Sequence, residues 1–443
     1  MLARFISSFS EQARQAGITC LQYYVEQVEE QRLQVYEQEL ERLQLADVTL
    51  VYVEGEYKGQ LGSTFIENPD PELFAEHIAN IKQMAECNNT SFTPLPFHRV
   101  SEPLAQTDDL PTSLLVEKLK AAEQAAYAQD QRVKHVSECS FLSKKKRILL
   151  LDDQGNRMED CLQYYRVGMG VVAQAGQQVQ TARLAKLARN INELDMTGLA
   201  EAAAGRALSM LNAAPVETGN YPVIFHNQVV CQLLLTFLPA FFADRVQNSM
   251  SRMGGQLGQQ VANAKLSLVE DPDFDLGIIT RRFDDEGSPT SKKAIIADGI
   301  LKSYLHNRRT AEKAGVVSTG NGFKRDYTEK PTISPTNLYL RQGTSTLADL
   351  QKEMGTGLLI TECDGMFAGA NPVSGDFSLI SKGYLIDGGE VVRPVAQITV
   401  AGNFFELLKQ VSSIGCDYDS TGSENGFVTA PSLLIPSLAV AGE

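Results

Sequence analysis

The sequence predicts an α+β fold of two domains, each with antiparallel or mixed sheets and packed helices. Its 443 residues exceed the size at which a single hydrophobic core usually stops growing. In the second half, short β-rich runs alternate with the turn dipeptides Asp298-Gly299, Asn321-Gly322 and Asp387-Gly388. This pattern is typical of antiparallel strands and unlike a doubly wound sheet. Alanine-rich helical segments in the first half supply the other component of the fold.

The periodicity of the first 62 residues predicts a helix, a strand and a hairpin. Residues 5–15 form an amphipathic pattern that Gly17 ends, and residues 19–27 partly alternate as in a strand. Residues 29–45 are rich in Glu, Gln, Arg and Leu, and this composition favours a helix. Two β-rich runs within residues 50–62 flank Glu54-Gly55-Glu56, which predicts a hairpin turn at these three residues.

A capped helix and a long loop follow. Asp70 and Pro71 are typical of a helix start. His77 lies on the apolar face of this helix, where packing is its expected role. Residues 88–111 contain four prolines and many polar residues, so we expect a long loop that lies at an interface or forms a lid.

The rest of the first half predicts two helices and three strands. The helices are residues 112–130 and 193–212, and the strands are residues 133–141, 147–151 and 164–172. The basic run Lys144-Lys-Lys-Arg147 leads into a strand, and we interpret it as a solvated strand entrance. Residues 213–220 contain proline and glycine, and this composition predicts a linker. The predicted domains are therefore residues 1–215 and residues 216–443.

Composition excludes several classes of partner and compartment. The formal net charge is −14, which argues against nucleic acid as a main partner, because phosphate binding requires clustered Lys and Arg. Seven cysteines are scattered without a C-x-x-C pair, as expected for reduced thiols in the cytosol. The amino terminus lacks a secretory signal, and no run of about 18 apolar residues could span a membrane. We expect a cytoplasmic protein with no membrane partner.

No residue pattern predicts a catalytic or metal site in this chain. A zinc peptidase requires two nearby imidazoles, a third ligand and a carboxylate base. The five histidines are His77, His98, His135, His226 and His306. No two of them lie within two helical turns of each other. His226 and Cys231 are five positions apart, and ordinary packing is the favoured role for both.

Other chemistries also lack their motifs. There is no G-x-S-x-G elbow and no calcium-loop spacing among the acidic residues. Gly355-Thr-Gly357 precedes no Gly-Lys-Ser/Thr sequence, so it is no phosphate loop. We interpret it as the end of a helix over residues 346–354 that Ser345 caps.

An ordered series of motifs in the second half resembles the TldD/PmbA family. The series comprises Met354-Gly-Thr-Gly-Leu-Leu-Ile-Thr-Glu362, Ser374-Gly-Asp-Phe-Ser378, Lys382-Gly-Tyr-Leu-Ile-Asp-Gly-Gly-Glu390 and Pro394-Val-Ala-Gln-Ile-Thr-Val-Ala-Gly-Asn403. Members of this family are two-component bacterial metalloproteases that were once described as modulators of DNA gyrase. The acidic charge of this chain does not support a role at DNA.

The resemblance implies a PmbA (TldE) type subunit without zinc. In the TldD-type subunit, a His-Glu-x-x-x-His helix supplies zinc ligands and a general base. The matching positions here are Leu235, Thr236 and Ala240, which can neither ligate zinc nor act as a base at neutral pH. The third ligand of the family, a late cysteine, is missing from residues 417–432. Zinc is therefore expected in a TldD-type partner, and no cofactor is expected in this chain.

The resemblance also implies strands over residues 29–45 and a surface that binds unfolded peptides. TldD-type subunits hold peptide by adding it to a sheet edge, a mode that needs little sequence preference. Strands are predicted at residues 358–362, 383–386 and 391–400. The candidate residues for peptide or interface binding are Asn321, Gly322, Arg325, Leu358, Ile360, Glu362, Gly375 and Asp376.

Three functions remain open at this point. The first is a non-catalytic subunit that pairs with a TldD-type zinc protease to degrade or mature unfolded peptides. The second is a stand-alone peptide-binding or scaffold protein, with a homodimer expected when the chain is alone. The third is an enzyme with a rebuilt metal site. The run Thr319-Gly-Asn-Gly-Phe323 resembles the TldD pattern more than the PmbA one, which leaves room for a divergent branch that works as a homodimer.

Overall fold

The computed structural model describes residues 2–100, 110–424 and 426–443. In the first half, six antiparallel strands form one sheet in the order β3-β2-β1-β4-β5-β6. They are β1 (Thr19–Tyr36), β2 (Glu39–Tyr57), β3 (Gln60–Glu67), β4 (Val133–Asp152), β5 (Arg157–Ala175) and β6 (Gln178–Ala188). We call it the long sheet, because four of its strands have 18 to 20 residues, about three times the usual length.

Four helices cover one face of the long sheet. They are α1 (Leu2–Gln15), α2 (Phe74–Cys87), α3 (Thr112–Ala128) and α4 (Met196–Ser209). At one end of the sheet, α1 and α2 enclose a core that contains Phe9 and Tyr23. At the other end, α3 and α4 enclose a second core around Phe141 and Ala200. The helices predicted for this half are confirmed.

The second half of the chain covers the opposite face. Strand side chains alternate between faces, so Tyr24, Leu150 and Tyr164 point away from the helices. They pack against Phe283 and Phe427 in a further core. The long sheet is therefore buried on both sides, which explains why its strands carry apolar residues at adjacent as well as alternate positions.

The second half contains fourteen described strands and six helices. The strands are β7 (Gly219–Phe225), β8 (Leu268–Glu270), β9 (Lys293–Ala297), β10 (Ile300–Leu301), β11 (Gly322–Phe323), β12 (Thr332–Ile333), β13 (Asn337–Leu340), β14 (Gly357–Asp364), β15 (Asp376–Asp387), β16 (Glu390–Asn403), β17 (Ser413–Ile414), β18 (Asp419–Ser423), β19 (Gly426–Ala430) and β20 (Leu433–Ala441). The helices are α5 (Asn227–Phe237), α6 (Ala243–Gln247), α7 (Arg308–Ala314), α8 (Leu347–Met354), α9 (Met366–Gly369) and α10 (Phe404–Gln410).

These strands form two six-stranded sheets and one pair. One sheet has the order β16-β15-β14-β7-β20-β17, and an additional β16–β20 pairing closes it into a ring. The other has the order β10-β9-β8-β13-β19-β18. Parallel pairs, β7–β14 and β13–β19, occur beside antiparallel ones. The α+β prediction with mixed sheets is confirmed. None of the described helices is long and apolar enough to cross a membrane.

The hairpin predicted at Glu54-Gly55-Glu56 is misplaced. These residues lie inside β2, and the chain turns at Lys58 and Gly59. Gly55 serves packing instead, because a Cβ there would lie 2.6 Å from Cγ2 of Ile18. The strands that the resemblance implied over residues 29–45 are confirmed, and the helix that composition favours there is wrong.

Several smaller predictions also need comment. Asn321-Gly322 is no tight turn, since Gly322 begins β11, whereas Asp298-Gly299 and Asp387-Gly388 do join paired strands. Thr346 caps α8 in place of Ser345.

Residues 88–100, 110 and 111 form neither helix nor strand. Residues 101–109 of that predicted loop lie outside the described part. The boundary between residues 215 and 216 stays a prediction.

The interpretation of Lys144-Lys-Lys-Arg147 as a solvated strand entrance is wrong. These residues lie in the middle of β4, and Lys146 is only 9% exposed. Its Nζ lies 2.6 Å from Oε1 of Glu26 and 3.3 Å from Oε2 of Glu424. Lys144 contacts Glu424 and, at 3.3 Å, Glu30. We call Glu26, Glu30, Lys144, Lys146 and Glu424 the lysine–glutamate cluster, which joins the long sheet to the second half.

Mutual attraction favours the charged forms of Lys146 and Glu424. Burial alone would lower the pKa of Lys146, but Glu26 and Glu424 outweigh that effect and raise it. Burial alone would raise the pKa of Glu424, but Lys146 and Lys144 lower it. Removing one member leaves its partners as buried, uncompensated charges, a costly outcome.

We predict that Lys146→Ala lowers the free energy of unfolding by about 3 kcal/mol, because it leaves Glu26 and Glu424 without their shared cation. The control is Lys134→Ala, which removes an exposed lysine from the same strand and should change stability by less than about 0.5 kcal/mol. Urea denaturation of both variants measures the difference. If Lys146→Ala and Lys134→Ala have the same free energy of unfolding, the cluster contributes nothing to stability.

The stabilising effect of Glu424 should depend on pH. Its pKa is lower in the folded chain than in the unfolded chain, so its contribution is complete above about pH 5 and declines as the pH falls through the lowered value. We therefore expect Glu424→Gln to destabilise the chain at pH 7 and to cost progressively less below about pH 4. Urea denaturation of both proteins across this range tests the expectation, and a cost that stays constant contradicts it.

Candidate functional site

A cleft of about 390 Å³ lies between the long sheet and the second half. We call it the interdomain cleft. From the long sheet it is lined by Glu138, Arg166, Arg183, Leu184, Ala185 and Leu187, and from the second half by Gln228, Gln232, Asp419, Ser420, Thr421 and Gly422. Part of its wall is α5, the helix onto which the zinc motif of the resembled family falls.

Two glycines lie next to the sheet side of the cleft. Arg166, Gly168 and Gly170 alternate along β5 and so share one face of the sheet. Gly168 pairs with Ala185 of β6, and Gly170 pairs with Arg183. A Cβ on Gly168 would lie 2.2 Å from Oε1 of Glu138. The space above the glycines is thus taken up by neighbouring side chains, chiefly that of Glu138, which lines the cleft.

Helix α5 supplies the facing wall with two glutamines. Gln228 and Gln232 are one helical turn apart and project on the same side. Nε2 of Gln228 donates to Oδ2 of Asp419 at 2.9 Å, and its Oε1 accepts from Arg206 at 3.0 Å. Gln232 is exposed, and its amide can both donate and accept hydrogen bonds.

The third wall is β18, a strand with one free edge. Among the described strands it pairs only with β19. Both ends of β18 are held to the long sheet. Nζ of Lys186 lies 2.9 Å from Oδ1 of Asp419 at its start, and Glu424 enters the lysine–glutamate cluster just beyond its end. The edge of β18 between these two anchors is thus fixed beside the cleft.

The arginines of the cleft differ in their partners. Arg166 lies 3.7 Å from Oε1 of Glu138, whereas Arg183 is exposed and forms no ion pair with any described residue. Arg206 is half-buried behind Gln228, and burial lowers its pKa. The cleft therefore has mixed charge, with one cation available to a ligand.

His226 and Cys231 lie in different environments beside α5. Cys231 is fully buried, its Sγ donates to the carbonyl oxygen of Asp419 at 3.2 Å, and burial raises the pKa of its thiol. Burial lowers the pKa of His226, and the neighbouring charge of Arg206 adds to that effect. The packing roles of both residues stay predictions.

The positions that match the zinc motif do not fit zinc. Leu235 is 39% exposed and has no donor atom, while Ala240 is buried. Oγ1 of Thr236 donates to the carbonyl oxygen of Gln232 at 2.8 Å. Within residues 2–100, 110–424 and 426–443, no group of three or more His, Cys, Asp or Glu side chains could hold a metal ion.

Leu358 and Ile360 cannot take part in strand addition, so this part of the predicted site needs correction. Both are fully buried. Around them β14 pairs with β7 on one side and with β15 on the other. An incoming peptide would find no free main-chain groups at these residues, because neighbouring strands already use them.

Asn321 and Gly322 also lie inside the protein. Asn321 is fully buried, and its side chain donates to the carbonyl oxygen of Ser334 at 3.0 Å. The amide of Gly322 donates to Oδ2 of Asp284 at 2.8 Å. Both residues therefore hold the chain in place and are not available to a ligand. Arg325 is exposed, and its proposed contact with a partner stays a prediction.

The remaining candidates lie on the ring-closed sheet. Glu362 forms a 3.1 Å ion pair with Lys382. Gly375 is buried at φ +86°, where a Cβ would lie 2.4 Å from the ring of Phe405. Asp376 is exposed and accepts from Asn403, which lowers its pKa. None of the eight predicted residues lines the interdomain cleft.

The residues that do line the cleft were missed by the sequence analysis. One signal was present: Gly168 and Gly170 alternate within a predicted strand, and glycine in a strand interior marks a close approach of a ligand or of another backbone. The other was the pair Gln228 and Gln232 at helical spacing on an apolar helix. No local pattern pointed to Arg183 or Asp419.

Comparison with known families yields two matches. Residues 106–211 match the model described as the PmbA/TldA metallopeptidase central domain. Residues 218–442 match the model described as the PmbA/TldA metallopeptidase C-terminal domain. Together they span most of the chain.

Several proteins are similar in sequence or structure. Metalloprotease PmbA of Escherichia coli O157:H7 is 28% identical over 330 residues, which cover 74% of this chain and 70% of that protein. The TldD homologue of Haemophilus influenzae is 26% identical over 379 residues, covering 82% and 77%. A crystal structure from Thermotoga maritima, of a proposed modulator of a DNA gyrase, has a TM-score of 0.89 and 28% identity over the full length of both chains. TldE of Thermococcus kodakarensis has a TM-score of 0.88 over both full chains at 24% identity, a likeness in fold.

We predict that the purified chain binds no stoichiometric zinc, because Leu235, Thr236 and Ala240 carry no ligand set and Cys231 is held as a thiol. Elemental analysis after dialysis against a zinc-containing buffer, with unfolding measured in the presence and absence of a chelator, tests this. About one zinc per chain together with a stability loss on chelation would contradict it.

Proposed function

This chain belongs to the PmbA/TldA metallopeptidase family, and on that basis we propose that it is a non-catalytic subunit that binds unfolded peptide beside a zinc-bearing TldD-type partner. The proposal rests on one observation: the chain keeps the helix that carries the zinc motif in the TldD-type subunit but lacks the residues of that motif. Helix α5 follows strand β7 as in the zinc-bearing type, but its motif positions are Leu235, Thr236 and Ala240.

The interdomain cleft supports peptide binding by strand addition. One edge of β18 has no strand partner among the described strands, although the carbonyl oxygen of Asp419 and the amide of Ser420 already have hydrogen-bond partners. An extended peptide can bind such an edge without much sequence preference. A free edge suits unfolded chains, because a folded substrate has no free backbone to offer.

Side chains of the cleft would add contacts without strict selectivity. Gln232 can donate to or accept from a peptide group. Arg183 has no ion-pair partner among the described residues and can bind an acidic side chain or a terminal carboxylate. The partner would contribute zinc, ligands and a general base, and this chain would hold the peptide. We propose no nucleic acid partner, because the net charge is −14 and phosphate binding requires clustered Lys and Arg.

We predict that Gln232→Trp weakens the binding of an unfolded peptide by at least about tenfold, because the indole fills space that the main chain of the peptide would occupy. Fluorescence anisotropy with a labelled peptide measures the affinity. Gln83→Trp is the matched control: it makes the same change at an exposed position of α2, away from the cleft, and should leave the affinity unchanged. Equal affinities for the two variants would exclude the cleft as the binding site.

We also predict that His226→Ala and Cys231→Ser preserve proteolysis by a reconstituted pair of this chain and a zinc-bearing homologue. Cys231→Ser should cost some stability, because it places a hydroxyl in a buried site. Assembly is checked by light scattering and proteolysis by release of labelled fragments. If activity falls by orders of magnitude while assembly is preserved, this chain contributes chemistry and the non-catalytic assignment is wrong.

A further inference from the structure

A cavity of about 600 Å³ lies where α1 meets the long sheet. We call it the α1 cavity. The apolar part of its wall consists of Leu2, Ala3, Phe5, Pro69, Leu149 and Leu151. A second opening of about 470 Å³ adjoins it, because Phe5 and Pro69 line both. Cavities of this size with mostly apolar walls are typical of small-molecule sites.

The wall of the α1 cavity changes from apolar to cationic along two strands. Leu151, Leu149 and Arg147 alternate along β4, so their side chains share the face of the sheet on which α1 lies. Leu149 is 3% exposed, whereas 42% of the Arg147 side chain is exposed. On β5, Arg157 lies opposite Leu151 and also lines the cavity. Two guanidinium groups therefore border an apolar wall.

The two arginines share a single counter-ion. Nε of Arg147 lies 2.6 Å from Oε1 of Glu159, and Arg157 contacts Oε2 of the same carboxylate. A further nitrogen of Arg147 donates to the neutral side chain of Gln27 at 3.1 Å. Within the part of the chain that the structure describes, neither arginine forms an ion pair with any other carboxylate. One positive charge at this wall is therefore not compensated by an ion pair.

Arg157 can bind an anion and still hold Glu159. Half of the Arg157 side chain is exposed, and a single nitrogen of its guanidinium donates to Glu159. Arginine carries five N–H donors in a rigid fork, so most of these donors remain for a ligand. A carboxylate fits this fork with two parallel hydrogen bonds.

We propose that the α1 cavity binds an aliphatic monocarboxylate of the fatty-acid class. The carboxylate of the ligand binds the guanidinium of Arg157, and its alkyl chain lies against Phe5 and Leu149. The ligand gains apolar burial from its chain and charge-assisted hydrogen bonds from its head group. The uncompensated positive charge rejects a cationic amphiphile, and the apolar wall offers no partners for the hydroxyl groups of a sugar.

The α1 cavity is separate from the interdomain cleft. Leu149 packs with the core beneath α1, whereas the neighbouring Leu150 and Lys146 face the second half of the chain. No residue lines both the cavity and the cleft. The proposal therefore goes beyond the peptide binding proposed above and does not depend on it.

The first test is isothermal titration calorimetry of the full chain with decanoate, below the concentration at which decanoate forms micelles. We expect one bound decanoate per chain. Octanoate should bind about tenfold more weakly, because it lacks two methylene groups that the cavity buries. Decyltrimethylammonium, a cation with the same alkyl chain, should not bind. The proposal is overturned if decanoate shows no saturable binding, if several decanoates bind per chain, or if octanoate or the cation binds as tightly as decanoate.

The second test changes the charges of the wall one at a time. Arg157→Gln should weaken decanoate binding at least about tenfold, because it removes charge-assisted hydrogen bonds to the carboxylate. Glu159→Gln should tighten the binding, because the shared carboxylate no longer competes for the guanidinium groups. Urea denaturation verifies that each variant is folded. An affinity that stays the same in either variant, or changes in the opposite direction, overturns the proposal.

The third test fills the cavity. Ala3→Trp places an indole at an exposed position of α1 that lines the cavity, and should weaken decanoate binding at least about tenfold. Ala121→Trp is the matched control: it makes the same change at an exposed position of α3, outside the cavity wall, and should leave the affinity unchanged. Equal decanoate affinities for these two variants overturn the proposal.

Discussion

The burial of both faces of the long sheet is the constraint on which the rest of the structure depends. Strands of 18 to 20 residues expose far more apolar surface than four helices can cover. The second half of the chain therefore packs against the opposite face, where Phe283 and Phe427 fill the core. The two halves are joined by a hydrophobic layer, and the lysine–glutamate cluster lies at its margin. A buried ion cluster adds little net stability compared with apolar packing, but its charges have partners only in one arrangement of the halves.

The same constraint creates the cleft. The cleft lies between Arg166 and Arg183 of the long sheet and Gln232 and Asp419 of the second half. Strand β18 lies beside it because Asp419 and Glu424 fasten the two ends of the strand to the sheet. The cleft is thus a consequence of interdomain packing, and two ion-pair anchors fix one of its walls.

The chain has the fold of its family but lacks the residues of the zinc motif. Helix α5 keeps its place after β7 and contacts β18 through Cys231 and Gln228, although its motif positions hold aliphatic and hydroxyl side chains. Oγ1 of Thr236 bonds within the helix, and Ala240 is buried in the core. Function in such a case has to be argued from the site and not from the fold. Binding is what we propose for the site, whereas relatives of the same family are named as metalloproteases.

The sequence by itself determined the local elements and the family. Periodicity and capping residues placed α1 and α2, because burial on one face of a helix repeats at a fixed spacing. The absence of a histidine pair and of a late cysteine can also be read directly from the sequence. Only tertiary structure decided the roles of Lys144, Lys146 and Glu424, because partners 280 residues apart in the chain leave no trace in a local pattern. Leu358 and Ile360 were mistaken for a binding edge for the same reason: whether a strand is an edge depends on its neighbours, and those neighbours are set by the closure of the whole sheet.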